Sequence, residues 1–148
     1  MKIKEIMSTN VLSVKEDTPI LEVAKTMSKN RIHAVPVVDS ENKVLGIITE
    51  TDFFTKDSSN LIYMSSLIDF ACNGEAGCDV REKEAMQAVV HAQAKDIMSE
   101  KCKIMSPETD VQDFIKSIKE TSFNSYPVAD EQGGLVGIVT VADVIKLL

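Results

Sequence analysis

The chain has 148 residues, 44% of them apolar and 26% charged, with no tryptophan and a formal net charge of −7. That length is one domain or two small halves sharing a core, and it buries enough surface to need no disulfide or metal staple. The acidic balance, with only Arg31 and Arg81 to make bidentate phosphate or guanine contacts, argues against a nucleic-acid binder.

In chain order, Val11, Leu12 and Val14 form a short apolar run that reads as a strand. Thr18 followed by Pro19 reads as a helix start, with the hydroxyl as N-cap and proline at the first helical position. Ile20, Val23, Ala24 and Met27 then recur at helical spacing, giving one buried stripe. "AVPVV" and "VLGII" are short β-branched segments either side of the turn-prone "DSENK", which predicts two strands and a tight connection. "TETDFF" opens a further helix. "DSSN" starts an expected helix carrying Leu61, Met64, Leu67, Ile68 and Ala71, which "CNGEAGC" breaks. "REKEAMQAVVHAQAKDIM" reads as one more helix, leading onward.

Past that point the chain repeats itself. A shift of 91 positions lays "KEIMS" (4–8) on "KDIMS" (95–99), "HAVPVVD" on "NSYPVAD" and "GIITETD" on "GIVTVAD" without a gap. Val111, Phe114, Ile115 and Ile118 take over the helix stripe, and "EQGG" takes over the turn. The chain is an internal duplication of a β-α-β-β-α unit. Each unit is too small to be comfortably stable alone, so pairing them buries both apolar faces. The expected division is 1–56, a helical insert over 57–91, and 92–148. The insert has no counterpart in the repeat and is expected to cover apolar surface or build a dimer contact.

Two copies of a proline-containing strand followed by Gly-x-x-Thr-x-x-Asp resemble the cystathionine β-synthase-type (CBS) domain pair, or Bateman module. The resemblance implies an α/β (α+β) fold of two repeats packed with pseudo-two-fold symmetry. It also implies two clefts that bind AMP, ADP, ATP or S-adenosylmethionine, and a non-catalytic, homodimeric regulator read by a separate effector protein. No cofactor is implied beyond that ligand, with Mg²⁺ only for a triphosphate. Carried over by position, one cleft would use Val11, Leu12, Ile32, His33, Ala34 and Pro36 with Thr140 and Asp143. The other would use Cys102, Lys103, Phe123, Asn124, Ser125 and Pro127 with Thr49 and Asp52. Each Thr and Asp would thus look across to the other repeat.

The chemistry of these residue types fits such a ligand. A carboxylate accepts both vicinal ribose hydroxyls. A threonine beside unpaired amides at a helix start suits a phosphate, for which Lys29, Arg31, Lys101 and Lys103 are the nearby cations. Small apolar groups around "HAVP" and "NSYP" suit adenine. Glycine ahead of the apolar pair admits a ligand or a neighbouring backbone.

Plainer roles stand beside these. Thr-x-x-Asp is also a helix cap, and His33 is also readable as a half-buried histidine satisfied by a backbone group. His91, on a helix expected to be exposed, has no role. Cys72 and Cys78 are spaced too widely for a usual zinc pair, with no completing ligand nearby. Cys102 falls in the strand expected to line the second cleft, without the features of a nucleophile. An odd cysteine number, no secretory leader in "MKIKEIMSTN" and no membrane-length apolar run predict a reduced, cytoplasmic protein away from membranes.

Overall fold

A computed structural model describes residues 1–53 and 91–148. Leu61, Met64, Leu67, Ile68, Ala71, Cys72 and Cys78, and with them the expected helical insert up to residue 90, lie outside these described residues.

In the first repeat, strands β1 (Val14–Lys15), β2 (Ala34–Val38) and β3 (Val44–Thr49) form a sheet in that order, with β1 parallel and β3 antiparallel to β2. Helix α1 (Ile20–Asn30) lies between β1 and β2, and the 3-10 turn Glu50–Phe53 follows β3. A four-residue helix, α2 (Ala94–Ile97), leads into the second repeat. There α3 (Val111–Thr121) precedes the antiparallel pair β4 (Ser125–Ala129) and β5 (Leu135–Thr140), and α4 (Val141–Ile145) follows. The mixed fold and the pseudo-two-fold expected from the sequence are present. Ala34 pairs with Thr49 as Ser125 pairs with Thr140, and each hairpin shifts register one residue before the end of its first strand.

The two turns show why sequences as different as "DSENK" and "EQGG" do one job. Asp39 Oδ1 accepts from the amides of Glu41 and Lys43 at 2.8 and 2.9 Å. Asp130 Oδ1 accepts from Gln132 and Gly134 at 3.0 and 2.8 Å. A left-handed residue completes each turn, Asn42 at φ 64° and Gly133 at φ 84°, the two residue types that tolerate this conformation best. The turns then meet, Val44 N donating to Gly133 O and Leu135 N to Asn42 O.

The repeats also exchange their leading segments. Ile3 is fully buried in the second repeat's core with Phe114, Tyr126, Val128 and Val139. Ala92, Ala94 and Ile97 are buried in the first repeat's core with Val23, Val35 and Ile48. Ser8 pairs with Ile138 and Ser99 with Ile47; Lys2 pairs with Asp110 and Gln93 with Pro19. Each pair maps onto its fellow under the 91-residue shift.

Four local expectations are corrected. Helix α1 begins one residue later than read, with Pro19 as N-cap and no side-chain cap. Thr18 Oγ1 accepts from Lys15 N instead, because Ile20 N is already taken by Ala92 O from the exchanged segment. Val11 and Leu12 precede the strand rather than form it, and Leu12 is exposed. The counterpart strand in the second repeat shrinks to one parallel bridge, Met105 with Val128, so Cys102 and Lys103 are not in a strand. The helix read through to Met98 is interrupted at Ala92–Gln93, where Gln93 bridges Pro19 and caps α2 afresh.

Candidate functional site

The glycine of each motif meets backbone, not open space. A Cβ on Gly46 would sit 2.7 Å from Ser99 O, and one on Gly137 would sit 2.9 Å from Ser8 O and 2.7 Å from Met7 Sδ. Of the two uses expected for these glycines, close approach of a neighbouring chain is the one realised.

The two threonines end β3 and β5, and each following turn is tied to the strand entry of its own repeat. Glu50 N donates to His33 O at 3.3 Å and Val141 N to Asn124 O at 3.0 Å. Around these entries lie three cavities. One of about 620 Å³ is walled by Arg31, Ile32, His33 and Ala34 from the first repeat and by Ser125, Ile138 and Thr140 from the second, with Glu50 and Asn124 beside them. A second of about 380 Å³ shares Ile32, Ala34 and Ile138 with it and adds Ser8, Asn10, Val11, Leu12 and Pro36. A third of about 210 Å³ lies on the other side, between Thr49–Thr51 and Ser122–Ser125, with His33 at its edge.

The structure therefore gathers Val11, Leu12, Ile32, His33, Ala34, Pro36 and Thr140 around two adjoining cavities that share Ile32, Ala34 and Ile138, together the larger cleft. Asp143 stands behind it, 6% exposed. Its Oδ2 accepts from Thr140 N and Thr140 Oγ1, both at 2.8 Å, and its Oδ1 accepts from Lys146 Nζ at 2.9 Å. Burial raises this carboxyl's pKa, but hydrogen bonds from Lys146 and Thr140 outweigh it and hold the group below the usual carboxylate range. Asp143 closes a capping box with Thr140 of its own repeat, the plainer of the two roles that the sequence allows it. The amides expected to be unpaired are also largely engaged, Val141 N by Asn124 O and Asp143 N by Thr140 Oγ1. A five-residue helix has few internal bonds to satisfy its first turn, so local side chains do so.

On the opposite side Thr49, Phe123, Asn124 and Ser125 come together. Asp52 repeats the cap, its Oδ2 accepting from Thr49 N at 2.7 Å and Thr49 Oγ1 at 3.1 Å. Cys102, Lys103 and Pro127 do not line this cavity. Lys103 Nζ donates to the buried Ser117 Oγ at 2.8 Å, and Pro127 is buried in β4. Burial raises the Cys102 pKa, the opposite of what a thiolate nucleophile needs.

His33 is neither half-buried nor held by backbone: its side chain is 82% exposed and Nδ1 lies 2.8 Å from Glu50 Oε1. His91 is exposed on a helical residue, as expected. Ser8, Asn10, Asn30, Glu50, Ile138, Val141 and Ala142 line the cavities without having been singled out. Ser8 and Ile138 had no local signal, because only the exchange of leading segments brings them there.

The family model of the CBS domain matches residues 3–59 and again 94–148. The chain belongs to the CBS-domain family. The CBS domain of a CBS-domain-containing membrane protein from Sphaerobacter thermophilus is 28% identical, with a TM-score of 0.76 over 100% of this chain and 88% of that one. CBSX2, solved in complex with AMP, is 20% identical with a TM-score of 0.72 over 99% of this CBS pair and 94% of that chain. The CBS pair of protein MJ0100, solved with 5′-methylthioadenosine and S-adenosyl-L-methionine, is 21% identical with a TM-score of 0.70 over 99% and 94%. The latter two share this CBS pair's fold. Among its described residues there is no group of three His, Cys, Asp or Glu side chains placed to hold a metal, and no helix long and apolar enough to cross a membrane.

Proposed function

We propose that this CBS pair is a non-catalytic regulatory module that binds an adenosine-containing ligand in the cleft shared by its two repeats. The observation that carries the proposal is the composite wall, with Ile32 and Ala34 from one repeat and Thr140 from the other. Val11, Leu12, Ala34 and Pro36 form the apolar slot for adenine. Asp143 meets the ribose hydroxyls by giving up the hydrogen bond from Thr140 Oγ1, so cap and ribose compete for one carboxylate. A ligand held this way ties the repeats together and biases their packing by its differential affinity for the two arrangements. Homodimerisation, a cytoplasmic setting and a separate effector protein that senses the change belong to the same proposal.

Thermal melting and titration calorimetry with AMP, ADP, ATP and S-adenosylmethionine test it. Stabilisation should follow RT ln(1 + [L]/Kd), about 2.7 kcal/mol at a hundredfold excess over Kd. The absence of any shift with all four at millimolar concentration would refute it. The complete hydrogen bonding of Asp143 as a cap favours a second reading, a dimerisation module that works with empty clefts. That reading predicts unchanged melting and self-association that is independent of adenosine compounds.

A further inference from the structure

The clefts can be compared internally, because each position in one has a counterpart 91 residues away in the other. Helices α1 and α3 close alike, Arg31 at φ 53° and Ser122 at φ 58° both taking left-handed backbone just past the last turn. The same backbone therefore presents two different side chains. Arg31 lines the 620 Å³ cavity and Ser122 the 210 Å³ cavity.

Much of the remaining wall is common to both. His33 and Glu50 border each cavity and are bonded to one another at 2.8 Å, so they are common to both and do not distinguish one from the other. Among the described residues Arg31's side chain has no partner. On the other side, Lys103 is committed to Ser117 at 2.8 Å and lies 3.8 Å from Glu120. Glu120 is itself the counterpart of Lys29. Charge and size thus differ in the same sense: the larger cleft carries an unengaged guanidinium, and the smaller has a hydroxyl at that place. A cavity of 210 Å³ is also below the range of about 300–1,000 Å³ usual for small-molecule sites.

We infer that Arg31 makes the larger cleft selective for the phosphorylated form of its adenosine ligand. The smaller cleft, with Ser122 in that place, does not take it, and one nucleotide binds per chain. The inference rests on the adenosine-binding reading above. A guanidinium grips a phosphate through two parallel charge-assisted bonds, whereas it repels the sulfonium of S-adenosylmethionine.

The test is calorimetry on the full chain with AMP, adenosine and S-adenosylmethionine. AMP should bind one per chain, with adenosine and S-adenosylmethionine about ten- to a hundredfold weaker. Arg31→Ser, which copies the second repeat, should lower AMP to the level of adenosine and leave adenosine unchanged. Arg31→Gly is the control for folding. Glycine suits the left-handed conformation, so this variant should melt no lower than the parent and still lose the AMP preference. Equal affinity of the parent for AMP and adenosine would overturn the inference. So would two equivalent AMP sites per chain, or a preference that survives in both variants. If none of these three compounds binds, and neither ADP nor ATP does, the adenosine reading itself fails and this falls with it; binding without phosphate preference removes this inference alone.

Discussion

Ser8 and Ile138 exchange both backbone hydrogen bonds, Ser8 N to Ile138 O at 2.9 Å and Ile138 N to Ser8 O at 3.0 Å. Ser99 and Ile47 do the same at 2.9 and 3.2 Å. Each repeat thereby holds the leading segment of the other against its last strand. The glycines at 46 and 137 exist for that contact. Gly46→Ala and Gly137→Ala push a methyl into a carbonyl oxygen fixed by these very bonds. Each should destabilise the fold by about 1–3 kcal/mol, a fall in Tm of about 2–4 °C per kcal/mol at this chain length. Differential scanning calorimetry measures it, and unchanged Tm in both would show that the exchanged segments shift freely.

Ile3 tests the same exchange through packing. It is fully buried against a core built from the second repeat. Ile3→Ala should cost about 2–5 kcal/mol. Chemical denaturation of this variant should give a lower midpoint with the slope retained. A loss below about 0.5 kcal/mol would place Ile3 outside the core.

Asp143→Ala removes a cap and leaves Lys146 and the Thr140 amide without their partner. The expected loss is about 1–3 kcal/mol at pH 7. The folded carboxyl titrates below its ordinary value, so its contribution is fully present above about pH 4. It disappears as pH falls through the lowered folded value. Parent and variant should therefore differ by a constant amount from pH 6 to 8 and converge in acid. A gap that widens as pH falls would reverse the sign and refute the assignment.

The Ala34 methyl borders both halves of the larger cleft. Ala34→Leu fills the space given to the ligand and should weaken binding of AMP at least about tenfold, or 1.4 kcal/mol. Isothermal titration beside a melting curve separates lost binding from lost folding. Full affinity in a folded Ala34→Leu protein would move the ligand out of this cleft.

The pair His33 and Glu50 makes a contrasting case. Both side chains are well exposed, where ion pairs contribute little, about 0–1 kcal/mol. Glu50→Gln should leave Tm within about 4 °C, whereas a larger drop would mean that the pair holds the strand entry in place.

The sequence alone determined the repeat, the α1 and α3 stripes and both hairpins. These signals are local: the period of apolar side chains, turn residues such as Asp39 and Asp130, and a shift of 91 positions that keeps them in step. Tertiary structure decided what local signals do not encode. Thr18 is a good cap by residue type, but Ala92 reaches Ile20 N first. The glycines allowed two neighbours, and the crossing of leading segments chose Ser8 and Ser99 over a ligand. In each instance one group had two available partners, and the distances set by packing of one repeat on the other chose between them.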